Sequence, residues 1–319
     1  MRSTLSLGAG NEHREHRPEG RRGVLSMRPV AFAAILLLSS GCASLGKRGP
    51  VPEAVATCRE LSQQGVTAGQ RGRWEQAEQL FGQAVESCPT DVDARREYAE
   101  VLWRRGSFIE GARQMEQAQQ LDPENLGLQI RLGEMYLVMR DLNRAGRMAE
   151  QALRADNHDG GAWALRGRVM LARGKAERAL ADLQQALRYR PDDARLLLEL
   201  AELYRRREQP QHALMALNHL AEIYPAGEEP QEVLYLTGLA YAALDRHHEA
   251  VESLYAASVR GQPTAELMYR LAEAEQRIDR PAAARANVEL ALSLDPQHAE
   301  SLVLFERLAR RPQARPVIR

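Results

Sequence analysis

Residues 160–191 read GGAWALRGRVMLARGKAERALADLQQALRYRP, the pattern of two short helices joined by a turn. The first half puts Trp163, Leu165, Val169 and Met170 at helical spacing. After Gly174 the second half does the same with Ala179, Leu183, Ala186 and Leu187, and it stops at Pro191. Neither helix can bury its apolar stripe alone. They must pack on each other and on neighbours, so the fold depends on whether the neighbours are alike.

They are alike at a fixed period. Steps of 34 residues from Pro191 land on Pro89, Pro123, Asn157 and Pro225. Twelve places before each stop stands a small residue: Ala77, Gly111, Ala145, Ala179 and Ala213. A further ladder of Ala84, Ala118, Ala152 and Ala186 runs five places before the stop, with Leu220 in the fifth unit. Small residues at these rungs belong where two helices touch. By the same reasoning Trp74, Phe108, Leu142 and Tyr204 are core positions.

A period of 34 with helix, turn and helix in each unit resembles the tetratricopeptide repeat (TPR) family. The third unit carries Leu132, Gly133, Tyr136, Ala145 and Ala152 where the family pattern has Leu, Gly, Tyr, Ala and Ala, and the fourth adds Trp163, Gly167 and Gly174. The resemblance implies an all-α superhelical solenoid of about seven helix-turn-helix repeats over residues 58–298, with Cys58 opening the first helix. After Pro225 the phase slips by three residues around Gly227, Glu228 and Glu229, then resumes through Gly238, Ala250, Ala257, Leu271, Ala284 and Ala291. Residues 299–310 are expected to form a capping helix with Leu302, Leu304, Phe305 and Leu308 on one side, followed by a disordered tail over 311–319.

Residues 1–26 are charged and polar and are read as disordered or foreign to the native product, with translation starting at Met27. From Met27 a basic start leads into the apolar run VAFAAILLL and then Ser39, Ser40, Gly41 and Cys42. A basic start, a short apolar core and small residues describe a signal peptide over 27–41. The Gly41–Cys42 pair is similar to the lipobox of bacterial lipoproteins, with Ser39 where that motif usually has Leu. The resemblance implies acylation of Cys42, a lipidated tether over 42–57, and a place in the outer membrane because no Asp follows the Cys. A plain signal peptide and an uncleaved helix are the alternatives.

Lys plus Arg and Asp plus Glu are 43 each, so no global charge recruits nucleic acid. Cys58 and Cys88 fall at opposite ends of the two antiparallel helices of the first unit, which makes a disulfide geometrically possible in an oxidising compartment. His247 and His248 are adjacent, and His212 and His219 lack a third partner, so no metal is expected. No Gly-rich phosphate loop, Gly-x-Ser-x-Gly elbow or nucleophile paired with a base occurs. Neither catalysis nor a cofactor is expected.

In TPR proteins the first helix of each unit lines the concave face. The resemblance therefore assigns a partner-binding groove to Arg96, Trp103, Arg104, Leu137, Arg168, Leu171, Arg195, Leu198, Arg205, Arg206, Tyr235, Leu239 and Tyr269, with Glu100 and Glu134 among them. The Lys and Asn of the family's carboxylate clamp are absent. Apolar and aromatic residues interspersed with arginine suit a protein segment, the arginines holding carboxylates bidentately. The expectation is a non-enzymatic envelope lipoprotein that acts as an interaction scaffold, similar to pilotins and assembly factors. The alternatives are a regulatory subunit of a polysaccharide- or wall-processing enzyme and, if the leader is not a signal, a cytosolic adaptor.

Overall fold

The computed structural model describes residues 53–310, which form fifteen α-helices and no strand among the described residues. The signal peptide, Cys42, most of the tether and the C-terminal tail lie outside the described residues. Seven helix pairs follow one another: α1 (Glu53–Gln70) and α2 (Trp74–Ser87), α3 (Val92–Arg104) and α4 (Phe108–Leu121), α5 (Leu126–Val138) and α6 (Leu142–Ala155), α7 (Gly160–Ala172) and α8 (Ala176–Tyr189), α9 (Ala194–Arg206) and α10 (Pro210–Glu222), α11 (Gln231–Ala243) and α12 (His247–Arg260), and α13 (Ala265–Arg277) and α14 (Pro281–Leu294). A single helix, α15 (Ala299–Arg310), packs on the last pair. Each helix packs on the one before and the one after it. The first helices of neighbouring pairs also touch, α5 on α7 and α9 on α11.

The starts of the first helices are set by a cap that recurs in phase with the repeat. Asp91, Asn125, Asp159 and Asp193 each accept a hydrogen bond from the backbone N–H three residues on, satisfying one orphan donor of the first turn. After the three-residue slip the same register holds Pro230, Thr264 and His298. Thr264 caps α13, and His298 Nδ1 accepts from Ser301 N of α15 at 3.3 Å. Pro230 makes no side-chain cap. In the first unit this register falls on Thr57, with Ala54, Val55 and Ala56 before it and no turn residue to stop the helix. Helix α1 therefore begins at Glu53, five residues before Cys58 and inside the stretch expected to be tether.

The turns inside the pairs share a second fixed register. Gly72, Gly106 and Gly174 have φ of 72°, 85° and 74°, and Arg140, Glu208, Asp245 and Asp279 take the same left-handed conformation with φ of 56° to 63°. Glycine enters this region freely, whereas a residue with a Cβ does so at a cost.

The small rungs lie at the helix crossings. Ala77, Ala145, Ala179, Ala250 and Ala284 are fully buried, as are Ala84, Ala118, Ala152 and Ala186. A Cβ placed on Gly238 would stand 2.5 Å from Leu254 Cγ, so the α11–α12 pair closes only because that position has none. In the 160–191 unit Leu165, Val169, Leu183 and Ala186 are wholly buried, while Trp163 lies half-exposed and donates through Nε1 to Asn157 O at 2.7 Å. Phe108 is not a core residue. As the first residue of α4 it is 45% exposed and stands edge-on to Trp103. In α15, Ser301, Leu304 and Leu308 are buried, but Leu302 is 45% exposed on the outer side, so the apolar face is narrower than the sequence suggests.

The recurrent turn yields a direct test. Arg140→Gly should stabilise the protein by about 1 kcal/mol, because it removes the left-handed strain of a β-carbon at an exposed turn. Chemical denaturation reads the change. A loss of stability would show that the Arg140 side chain contributes more than its backbone costs.

Candidate partner-binding groove

The first helices of the pairs stand side by side and present their residues at matching heights, with charged pairs on the shared face. Arg131 of α5 makes a two-pronged contact with Glu100 of α3, Nε to Oε1 at 2.5 Å and Nη2 to Oε2 at 2.7 Å. These hydrogen bonds hold the Arg131 guanidinium pKa above its ordinary value, against the opposing effect of burial. Arg131 Nη1 also reaches Glu134 Oε2 on its own helix at 3.3 Å. Glu134 Oε1 then accepts from Arg168 Nη1 of α7 at 3.1 Å. Arg168 Nε continues to both carboxylate oxygens of Glu199 on α9 at 2.9 Å, and Arg195 Nε closes on Glu199 Oε1 at 3.0 Å.

The chain Glu100–Arg131–Glu134–Arg168–Glu199–Arg195 thus crosses four helices. Two of its links, the bidentate Glu100–Arg131 and the Arg168–Glu199 pair in which one Nε is shared by both carboxylate oxygens, join residues 31 apart with the charges exchanged. The Arg168 side chain is 13% exposed, and solvent screens it far less than an isolated surface pair.

Arg168, one of the expected groove residues, is held by glutamates of two neighbouring helices, whereas Arg195 makes its hydrogen bond to Glu199 of its own helix and stays 65% exposed. Arg96 likewise pairs with Asp93 and Glu97 of its own helix. Leu137, Leu171 and Leu198 are half-buried against the core clusters below them. Trp103 packs against Phe108 with centroids 4.8 Å apart, and the exposed Arg104 lies over the Trp74 ring at 4.4 Å.

The ladder ends at α9. Glu202 occupies the register of Glu100, Glu134 and Arg168, but the facing positions on α11 are Leu236 and Leu239. Glu202 therefore turns back to Arg205 at 2.8 Å and Arg206 at 3.1 Å on its own helix. The Arg205 hydrogen bond holds its carboxyl below the usual carboxylate range. A cavity of about 480 Å³ opens here, with Leu239, Ala240, Ala243, Ala274 and Leu254 supplying apolar wall and Arg205, Arg270, Glu273 and Arg277 supplying charge. Tyr235 lies within the influence of both Arg205 and Arg270, and burial pushes its hydroxyl up. Tyr269 stands beside a second cavity of about 240 Å³ between α13 and α15, which shares Glu273 with the first.

The mapped residues that gather around open space are therefore Arg205, Leu239 and Tyr269, with Tyr235 between the two arginines. Sequence reasoning passed over Arg131, Glu199, Arg270 and Arg277. Opposite charges at a spacing of 31 would have marked the first two. His247 also lines the larger cavity, and its buried Nδ1 has no hydrogen-bond partner among the described residues.

His212 stacks on Tyr204 with centroids 5.2 Å apart, and His219 Nε2 meets Asp192 Oδ1 at 3.0 Å. Among the described residues no group of three His, Cys, Asp or Glu could hold a metal ion, and no helix is long and apolar enough to cross a membrane. The two cysteines expected to form a disulfide stand as thiols side by side in one apolar cluster. Cys58 Sγ faces Asp91 Oδ2 at 3.8 Å, and Cys88 Sγ donates to Ala54 O at 3.4 Å. Burial pushes the Cys58 thiol up to about 11.

Arg168→Met, which leaves Glu134 and Glu199 without their shared partner, should cost about 1–3 kcal/mol in urea unfolding. Arg310→Met, at an exposed end pair, should cost under about 0.5 kcal/mol. Equal effects would remove the ladder's structural role.

Family models described as tetratricopeptide repeat match residues 63–125 and 265–298, and one described as TPR repeat matches 167–206. Cellulose synthase operon protein C of Xanthomonas axonopodis pv. citri (strain 306) is 30% identical over 203 residues. That match covers 61% of this chain but only 13% of the length of that relative. Among solved structures, YrrB, a TPR protein with an unusual peptide-binding site, superposes with a TM-score of 0.55 at 20% identity, covering 60% of this chain and 97% of YrrB. PilF of Pseudomonas aeruginosa does so with a TM-score of 0.59 at 14% identity, covering 68% of this chain and 97% of PilF. At such identities the structural likeness speaks for the fold alone. TPR proteins are generally non-catalytic scaffolds for protein–protein interaction. With the repeat, the paired helices and these matches in agreement, the chain belongs to the tetratricopeptide repeat family.

Proposed function

We propose that this chain is an exported, lipid-anchored scaffold of the cell envelope that holds a segment of a protein partner against the inner face of its fifth to seventh repeats. The observation that carries the location is the end of the ion-pair ladder at α9. From α3 to α9 the charges of the inner face satisfy one another, and a partner would have to break those pairs to use them. From α9 to α13 the pairs lie within single helices, Arg205 with Glu202 and Arg270 with Glu266 and Glu273, and Leu239 and Ala240 line a cavity of about 480 Å³ with Arg205, Arg270 and Arg277, while Tyr269 lines a second of about 240 Å³. Aromatic and arginine side chains around an apolar recess are the chemistry that interface hot spots use.

Support for export and anchoring comes from the sequence: the basic start after Met27, the short apolar run and the Gly41–Cys42 pair. In this reading the anchor sits on the periplasmic face of the outer membrane and the chain performs no catalysis. The Xanthomonas relative favours a partner in a polysaccharide-producing machine over one in pilus assembly, since its name places it in a cellulose synthase operon. The PilF likeness, at 14% identity, carries no function.

A photoreactive phenylalanine analogue at position 235 tests the groove in living cells, with position 255 as control. Tyr235 lies one helical turn before the cavity-lining Leu239 on α11, whereas Tyr255 of α12 is 61% exposed on a second helix of a pair. Position 235 should capture a discrete partner and lose it when Arg205→Glu is added. The same products from position 255 would rule out the groove. Anchoring is read separately by labelling with a radioactive fatty acid, and label retained by Cys42→Ala would refute acylation at that residue.

A further inference from the structure

Two nucleophilic side chains in the first repeat serve neither the groove nor the ladder. Cys58 sits in the second turn of α1 and is 1% exposed, packed in a cluster with Ala84, Val85 and Ala94. Cys88 is the C-cap of α2, half-exposed, and lies against the same cluster. Each thiol reaches toward the other's surroundings: Cys88 Sγ meets Ala54 O, one turn before Cys58, and Cys58 Sγ faces Asp91, three residues after Cys88. The backbone around Cys88 is held from both sides, with its N–H donating to Ala84 O at 2.9 Å and its carbonyl accepting from Asp91 N at 3.1 Å. Two thiols side by side on fixed backbone need no rearrangement of helices to come into bonding range.

We propose that Cys58 and Cys88 form a dithiol pair that a disulfide oxidant closes into an intrachain bond, stapling α1 to the end of α2. The oxidant is a small-molecule or protein disulfide. Cys88, the more accessible thiol, loses its proton and attacks one sulfur of the oxidant, releasing the other as a thiol and leaving a mixed disulfide on Cys88. Cys58 then loses its proton, with Asp91 Oδ2 placed to accept the S–H at 3.8 Å, and attacks the Cys88 sulfur. The second half of the oxidant departs as a thiol. Two S–H bonds are lost and one S–S bond is gained, and the two electrons reside on the reduced oxidant.

The consequence is local. Helix α1 is the first element of the described array, packed on α2 with only a weak touch on α3, and no earlier helix covers it among the described residues. End units are the first to fray. Closing a loop of about 30 residues removes enough denatured-chain entropy to favour the folded unit by roughly several hundredfold.

The test uses the full folded chain equilibrated with glutathione buffers of rising oxidised fraction. Trypsin cutting at Lys47, Arg48, Arg59 and Arg73 separates Cys42, Cys58 and Cys88 onto different peptides, so the link is read directly by mass spectrometry. The expected product joins the Cys58 and Cys88 peptides, with amide exchange in α1 slowed by up to roughly several hundredfold. Cys88→Ser keeps a donor toward Ala54 O and should match the reduced wild type, with no response of α1 to oxidant. Glutathione retained on Cys88, a link through Cys42, or two alkylatable thiols at the oxidising end would each overturn the assignment.

Discussion

Each unit of this array depends on two helices approaching at a residue too small to hold them apart. Where that residue is Ala it is fully buried, and where it is Gly the neighbour occupies the space a β-carbon would need, as Leu254 does against Gly238. Close approach buries the apolar stripes of a pair but leaves both its flanks apolar, so a pair is stable only between like pairs. The other regularities follow from that need to repeat. Caps fall at one register and left-handed turns at another, and the array keeps Arg140 and Glu208 in a backbone conformation they disfavour because the phase of the helices requires it.

Regular stacking has an electrostatic result. Because the first helices stand at constant height differences, a residue on one faces the residue 31 further along on the next, and opposite charges at that spacing meet. The exchange of signs between Glu100–Arg131 and Arg168–Glu199 shows that geometry decides which residues meet and that either order of charge serves. The pattern stops where Leu236 and Leu239 replace the charges, in the unit that follows the three-residue insertion at 227–229. One inner face thereby has two arrangements: ion pairs that link neighbouring helices from α3 to α9, and ion pairs confined to single helices around an apolar recess beyond it.

Much of the fold is legible in particular residues. The stops from Pro89 to Pro225 and the rungs from Ala77 to Ala213 give the phase of the first five pairs without any structure, and Gly238, Ala250, Leu271 and Ala284 give the last two. The ends are less legible, because a terminal helix lacks a neighbour whose pattern can be compared with it. Helix α1 runs past Thr57 to Glu53 because Ala54, Val55 and Ala56 before it hold no turn residue, and α15 leaves Leu302 in solvent because only one flank of the last pair needs covering. Phe108, apolar and in phase, was legible as core and is instead half in solvent, since the first residue of a helix projects from the turn.

The candidate groove divides along the same line. The sequence by itself determined that the chain is a stack of helix pairs, which residues sit on the first helix of each, and therefore which side chains share the inner face. That information is periodic and local. Only the tertiary structure decided which of those side chains are already engaged. Arg168 and Arg205 look equivalent in the chain, each an arginine on the inner face of a first helix. Arg168 is held by glutamates from helices on both sides, whereas Arg205 pairs only within its own helix and borders the cavity. The physical reason is that an ion pair between neighbouring helices depends on two residues far apart in sequence and on the height at which packing places them, and neither arginine carries that information alone.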